Sequence, residues 1–179
     1  MDSTQIRNAV MSDKSMGKNF RGVFANDILN LKAIVKAGVS NYYICNTAPH
    51  NHPGQHWVAI FIDETGTFAE FFCSYGQLPS DEVKTFVKKH VHYCNTNNMQ
   101  LQRPLSSVCG QYCIYYLYHR SRGMDLKDII YMLDNNRDSD RTVNSFVKTL
   151  SKDLSHLEEF DEDFLLNQIA MSMDNVVRK

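Results

Sequence analysis

The chain has 179 residues, which is enough for one well-buried core and a single domain. Its hydrophobic fraction of 43% and charged fraction of 22% are ordinary for a globular protein, and the net charge of −1 gives no indication of nucleic acid or an anionic membrane as a partner. The sequence has no recognisable secretory signal and no apolar run of membrane length, which argues against secretion and against a membrane span.

The chain contains five cysteines, and this odd number predicts free thiols in a reducing compartment. Cys109 and Cys113 do not have the spacing of a redox-active Cys-x-x-Cys pair, because three residues separate them. On a helix their side chains would share a face, and Cys113 is expected to pack in the helix core.

The N-terminal region divides into a polar stretch and a first helix. Residues 1–17 show no clear periodicity and are predicted to form a loosely held, flexible arm outside the domain. After this arm, Asn26 or Asp27 supplies a helix cap, and apolar residues then recur at helical spacing. The pattern predicts a helix that ends at Gly38.

The middle of the chain has the pattern of β-strands. Short runs of aromatic and β-branched residues, separated by turn-forming residues, predict strands and one hairpin. The predicted strands cover residues 42–46, 56–62, 67–72 and 93–101, with a loop at 47–54 and a hairpin turn at 63–66. Before the last strand, Ser80 caps a predicted helix whose first turn is acidic and whose apolar residues share one face.

The remainder of the chain is predicted to be helical. The expected helices cover about 109–121, 125–134 and 139–153, and an acidic patch at 158–163 is expected to lie on the surface. These strands and helices predict an α+β fold with a small, mainly antiparallel sheet flanked by helices. We expect one domain over residues 18–179, with its core in 20–122 and a helical part in 123–179.

Cys109 is the candidate nucleophile. It is followed by a glycine and stands at the start of an apolar helical run, where backbone N–H groups converge and the helix dipole favours a thiolate. His56, followed by Trp57, is the candidate base that such a nucleophile needs. Taken alone, each residue is more often structural, so the chemical interpretation rests on their joint occurrence.

Two further residues fit the same chemistry. Gln102 lies seven positions before Cys109, with Pro104 forcing a turn between them, and its side-chain amide is a candidate oxyanion donor beside the Cys109 backbone N–H. Gly110 removes a side chain next to the nucleophile, which would let a substrate backbone approach. Trp57 and Gly110 are therefore predicted to form a narrow substrate cleft.

The order His-Trp, then Gln, then Cys-Gly resembles the adenovirus maturation protease family, the adenain-like cysteine proteases. The spacing from Gln102 to Cys109 is that of the family, and the segments 46–48 and 54–57 resemble its sequence around the catalytic histidine. The segments 20–27 and 72–76 look closer still to relatives encoded by virophages and by self-synthesising transposons of the Maverick/Polinton type. The resemblance covers about residues 20–122, and the ubiquitin-like-protein proteases are more distant cousins.

The resemblance implies a cysteine endopeptidase of adenain or ubiquitin-like-protease fold. It would cleave viral capsid or other structural precursors during particle maturation, at glycine-containing sites, in the virion and the host-cell interior. It would act as a monomer on polypeptide substrates, without a required cofactor or metal and without nucleic acid. The adenoviral relatives capture an activating peptide through a cysteine in roughly the region of Cys94, so the resemblance also allows an activating peptide here. The alternatives are a ubiquitin-like-protein-specific protease and a catalytically impaired binding module with the same fold.

One position departs from the family pattern. The family places an Asp or Glu seventeen residues after the histidine, and here that residue is Cys73, a poor acceptor for the imidazole of His56. The site would then be a Cys–His dyad, an impaired variant, or a site that uses another acid such as Glu70 or Asp63. Strand alternation argues against Glu70, since it would face away from position 73. The two thiols and His56 also suggest inhibition by Zn²⁺.

Overall fold

A five-stranded sheet forms the centre of the protein. The computed structural model describes residues 1–151. In chain order and in sheet order alike, the strands are β1 (Phe20–Ala25), β2 (Asn41–Asn46), β3 (Trp57–Ile62), β4 (Phe68–Phe72) and β5 (Tyr93–Thr96). The three central strands therefore match the predicted ones closely, and the last strand is shorter than predicted.

The sheet is mixed, and the expectation of a mainly antiparallel sheet is wrong at both edges. The pairs β2–β3 and β3–β4 are antiparallel, whereas β1 pairs with β2 and β5 pairs with β4 in parallel. Parallel neighbours need a crossover connection, and a helix between β4 and β5 provides one. The predicted α+β class, with helices flanking one sheet, is confirmed.

Seven helices surround the sheet in the part of the chain that the structure describes. They are α1 (Ser3–Ser12), α2 (Lys14–Gly17), α3 (Leu29–Lys32), α4 (Asp81–Lys88), α5 (Cys109–Arg120), α6 (Leu126–Asp134) and α7 over residues 139–151. The helices predicted from Ser80 onward are all present. The last two residues of the predicted helix 139–153 and the acidic patch 158–163 lie outside the described residues. None of the helices within residues 1–151 combines the length and apolarity needed to cross a membrane.

The prediction that residues 1–17 form a loosely held arm is wrong. Asp2 accepts a hydrogen bond from the Gln5 backbone and completes a capping box at the start of α1. Ile6 and Val10 of this helix are fully buried in the main core. These apolar residues have helical spacing, but they are few and lie among polar residues, so the segment does not show a clear helical period in the sequence.

The helix predicted from Asn26 to Gly38 is present only as the short α3. The residues before it form β1, which pairs with β2 and contains an irregularity between Phe20 and Gly22. Pairing with a buried neighbour outweighs the local propensity of this segment.

The core lies on both faces of the sheet. One apolar layer packs the sheet against α1, α5, α6 and α7, and the other packs it against α3 and α4. In the first layer Phe72 stacks on Tyr116 with ring centroids 4.8 Å apart. Because both faces are covered, every residue of β2 and β3 is buried.

Candidate active site

A cleft of about 600 Å³ lies at the edge where β3 begins and α5 begins. Cys109, His56 and Trp57 all line it. The loop 47–54 and the N-terminal residues 1–3 form much of the remaining wall. Three of the side chains selected from the sequence therefore line one cleft, although Cys109 lies more than fifty positions after His56 and Trp57 in the chain.

Cys109 is the first residue of α5 and is partly exposed to the cleft. The N-cap residue Val108 makes no side-chain hydrogen bond to the helix. The N–H groups of the first turn therefore have no side-chain cap and favour negative charge at this point. Cys113, one turn later, is fully buried in the core, as predicted.

His56 stands immediately before β3 and is held by the preceding loop. The Asn46 side-chain oxygen accepts hydrogen bonds from the backbone N–H groups of Ala48 at 2.9 Å and Gln55 at 3.1 Å. A Cβ at Gly54 would lie 2.9 Å from the Asn46 amide nitrogen, so only glycine fits there without a shift. Asn46 thus stabilises the loop that positions His56 at the cleft.

Cys73 directly contacts the candidate base. Its Sγ lies 3.3 Å from Nε2 of His56, and the Cys73 side chain is 1% exposed. Asn97 fixes the backbone of Cys73, because its Oδ1 accepts from the Cys73 N–H at 2.8 Å and its Nδ2 donates to the Cys73 carbonyl at 2.7 Å. The position chosen by spacing is therefore the one that touches the imidazole.

No carboxylate replaces Cys73 at this contact within the described residues. Glu70 faces the other side of the sheet, where it forms an ion pair with Arg120 at 2.9 Å and accepts from the Tyr116 hydroxyl at 2.6 Å. Asp63 accepts backbone hydrogen bonds from Thr65 and Phe68 in the β3–β4 hairpin. Both acids serve the fold, and the strand-alternation argument about Glu70 agrees with the structure.

The imidazole and the neighbouring thiol are both neutral at pH 7. Burial lowers the pKa of His56 to about 4, and no anion next to the ring opposes this shift. Burial likewise raises the pKa of the Cys73 thiol. Tyr75 stacks on the imidazole with ring centroids 4.7 Å apart and fixes the plane of the ring. The resting site therefore contains an uncharged, firmly held base.

This lowered pKa makes stability depend on pH. In the unfolded chain His56 binds a proton near pH 6.5, whereas in the folded protein it does so only near pH 4. We expect its contribution to the free energy of unfolding to be complete above pH 6.5 and to fall by roughly 1–3 kcal/mol as the pH drops toward 4. Urea unfolding of the wild type and of His56→Gln at several pH values measures the difference, and parallel curves would contradict the buried neutral imidazole.

Gln102, the predicted oxyanion donor, is not among the residues that line the cleft. The side chain is 1% exposed, and its Oε1 accepts from the Ser74 hydroxyl at 2.7 Å. Its Nε2 donates to the Ser106 carbonyl at 2.6 Å and to the Tyr75 hydroxyl at 3.2 Å. Both amide hydrogens are thus engaged, and Gln102 supports two cleft-lining residues from beneath.

Gly110 also differs from its predicted role as a cleft residue. A Cβ at this position would lie 3.3 Å from Cδ1 of Ile6 and 3.5 Å from Cβ of Met1. Gly110 is buried and faces α1 rather than the cleft. A side chain here would have to displace the end of the Ile6 side chain slightly, because α1 packs closely against the start of α5.

Several supporting residues were missed from the sequence. Tyr75, Asn97 and the N-terminal segment contact the site, yet none carries a motif of its own. Tyr75 lies within the segment 72–76 that supported the resemblance, which is the one signal that pointed toward it. The suggestion of zinc inhibition also lacks a prepared site, because no group of three or more His, Cys, Asp or Glu side chains within residues 1–151 is arranged to hold a metal ion.

The fold is similar to that of solved structures that include a protease. No protein-family model matches the chain, and no curated protein matches it significantly. The likeness is therefore one of three-dimensional structure.

Among these structures is the ASFV pS273R protease, with a TM-score of 0.62 and 20% identity over 83% of this chain and 66% of that chain. A second, Se-Met structure of that protease matches with a TM-score of 0.51 and 25% identity over 66% of this chain and 46% of that one. ChlaDub1 from Chlamydia trachomatis matches with a TM-score of 0.59 and 11% identity over 85% and 92% of the two chains. The chain spans just under two thirds of the ASFV protease, and at these identities the similarity establishes the fold.

Proposed function

We propose that the protein is a cysteine endopeptidase with Cys109 as nucleophile and His56 as general base. The observation that carries this proposal is the meeting of the two side chains in one cleft, with Cys109 at the uncapped start of α5. A thiol at such a helix terminus, in the same cleft as an imidazole, is the arrangement that acyl transfer requires.

In the proposed mechanism His56 accepts the thiol proton as the Cys109 sulfur attacks the carbonyl carbon of a peptide bond. The resulting oxyanion accepts a hydrogen bond from the Cys109 backbone N–H. His56 then returns the proton to the leaving amine, and a thioester links the acyl group to Cys109. Water, deprotonated by the same imidazole, hydrolyses the thioester and releases the free enzyme.

Cys73 determines which imidazole nitrogen can act as the base. When Nε2–H of His56 donates to the Cys73 sulfur, Nδ1 is left without a proton and can accept one. Sulfur is a weak acceptor, so this tautomer is favoured less strongly than it would be by a carboxylate. The site operates as a dyad in which stacking on Tyr75 and the backbone hold of the loop supply much of the orientation.

Gln102 contributes by holding Tyr75 and Ser106 in place. An oxyanion role for its amide would require Nε2 to leave the Ser106 carbonyl, to which it now donates at 2.6 Å. The Cys109 N–H and its neighbours in the first turn of α5 are the donors that need no rearrangement.

The substrates are polypeptides, and we infer that they are viral capsid or other structural precursors cut at glycine-containing sites in the virion or the infected cell. The adenain-like and virophage-like segments within 20–122 support this, as does a fold shared with a viral protease. A monomer that needs no cofactor or metal suffices for the mechanism. An activating peptide would find the exposed Cys94 on the outer strand β5, where a thiol is free to form a disulfide.

A ubiquitin-like-protein-specific protease is the second candidate, supported by the more distant resemblance of the sequence to that family. Comparing hydrolysis of a ubiquitin-like fusion with that of a capsid-derived, glycine-containing peptide distinguishes the two. The neutral Cys73 supports a third candidate, a binding module that has lost activity.

The protease proposal is tested by the reactivity of the thiols. At neutral pH, iodoacetamide is expected to modify Cys109 at least about tenfold faster than it modifies glutathione, because the helix terminus and His56 activate the Cys109 thiol. Glutathione is the reference, since burial and Glu70 raise the pKa of the other exposed thiol, Cys94, to about 11. Mass spectrometry of the folded protein measures the rate at Cys109, and a Cys109 that reacts no faster than glutathione would overturn the proposal.

A further inference from the structure

We propose that the N-terminal segment, residues 1–12, is a positioning element of the active site. It holds Trp57 on one side of the cleft and the start of α5 on the other. This inference rests on the proposed function only in assigning the cleft to catalysis, since the contacts themselves are structural.

The first contact is with Trp57. The indole Nε1–H donates to the backbone carbonyl of Met1 at 3.1 Å, and Trp57 is only 9% exposed. Met1, Asp2 and Ser3 also line the cleft. The indole N–H is therefore bound to the N-terminal segment, and the position of the ring in the cleft wall depends on where Met1 lies.

The second contact is with α5, one residue after the nucleophile. Ile6 and Met1 lie so close to Gly110 that a Cβ there would be 3.3 Å and 3.5 Å from them. This close approach makes α1 a support for the first turn of α5, the turn that carries the sulfur and the N–H groups directed at the substrate. A shift of α1 would move Cys109 relative to His56.

The segment is capped at its start and anchored in the core along its length. The Asp2–Gln5 capping box closes the start of α1, and Ile6, Ala9 and Val10 anchor it in the main core. The loop 47–54 lines the same cleft and is fixed by Asn46. The N-terminal segment thus contributes to the geometry of the cleft. A shift of this segment would matter for catalysis, because a displacement of about 1 Å at a reacting centre can lower the rate up to about a hundredfold.

Substitutions at two positions of α1 distinguish a role in positioning the active site from a role in stabilising the fold. Ile6 and Val10 are both fully buried on α1, but only Ile6 is among the close neighbours of Gly110. We expect Ile6→Ala to lower the rate of Cys109 alkylation about tenfold. Val10→Ala is expected to leave this rate near the wild-type value when both proteins are folded. Ile6→Val, which removes only the methyl group nearest Gly110, provides a milder variant that keeps the fold.

Trp57 supplies a second readout because it is the only tryptophan of the chain. We expect Ile6→Ala to shift its fluorescence emission to longer wavelength, and Val10→Ala to leave it unchanged. Equal effects of the two substitutions, or an unchanged spectrum and alkylation rate in both Ile6 variants, would overturn the inference. The fluorescence result does not require catalysis, so failure of the protease proposal, seen as an unreactive wild-type Cys109, is distinguishable.

Discussion

Cys109→Ala is expected to reduce peptide hydrolysis by a factor of about 10³ or more, because no other group can form the thioester. Cys109 is partly exposed at the start of α5, so the loss of its sulfur leaves no large cavity. The free energy of unfolding should therefore change by less than about 1 kcal/mol. Single-turnover cleavage of a glycine-containing peptide, together with urea unfolding, measures both effects.

Cys113→Ala is the matched control for this experiment. Cys113 is the same residue type on the same helix, but it is fully buried in the core. Its replacement should cost on the order of 1–2 kcal/mol of stability while the folded fraction keeps wild-type activity. If Cys109→Ala retained wild-type cleavage, or if the two variants lost activity equally, Cys109 would not be the nucleophile.

Cys73→Asp is expected to raise kcat/KM about tenfold or more near pH 7. A carboxylate in contact with Nε2 would stabilise the imidazolium that forms during attack, and an opposite charge at this distance raises a histidine pKa by about 1–3 units. The pKa of His56, now about 4, would then approach the range in which a general base works well at neutral pH. NMR titration of the imidazole and the pH profile of kcat/KM measure the two expected shifts.

Cys73→Ser separates charge from hydrogen bonding in the same position. Serine has nearly the shape of cysteine and stays neutral, so it should leave the pKa of His56 low and give little gain in rate. A fall of kcat/KM in Cys73→Asp would show instead that the site has adapted to the thiol, and the incomplete-triad interpretation would be wrong.

The strands and helices with a strong local pattern were predictable from the sequence. Helices α4 and α6 combine an apolar period with a cap, α5 is an apolar run, and strands β2 to β4 are short aromatic and β-branched runs bounded by turn residues. All of these appear close to the predicted bounds. Strand β1 and helix α1 lack such a pattern. The first depends on pairing with β2, and the second depends on burial against α5, so neither is determined by local sequence alone.

In the candidate site, the sequence predicted which residues come together but not the direction in which each side chain points. Spacing along the chain brought His56, Cys73 and Cys109 into consideration, and the structure places Cys73 against His56 and the other two in one cleft. The roles first given to Gln102 and Gly110 needed side-chain directions, which only tertiary packing decides. Gln102 points beneath the cleft, and Gly110 faces α1.

Asn97 has a consequence for how this site can vary. Its side-chain amide pairs with both the N–H and the carbonyl of residue 73, as a neighbouring strand would do just beyond the end of β4. The main chain at this position is therefore held by a partner that does not sense which side chain it carries. A change between thiol and carboxylate there would alter the charge beside His56 while both backbone hydrogen bonds to Asn97 could remain, so a single codon could adjust the strength of the proposed base.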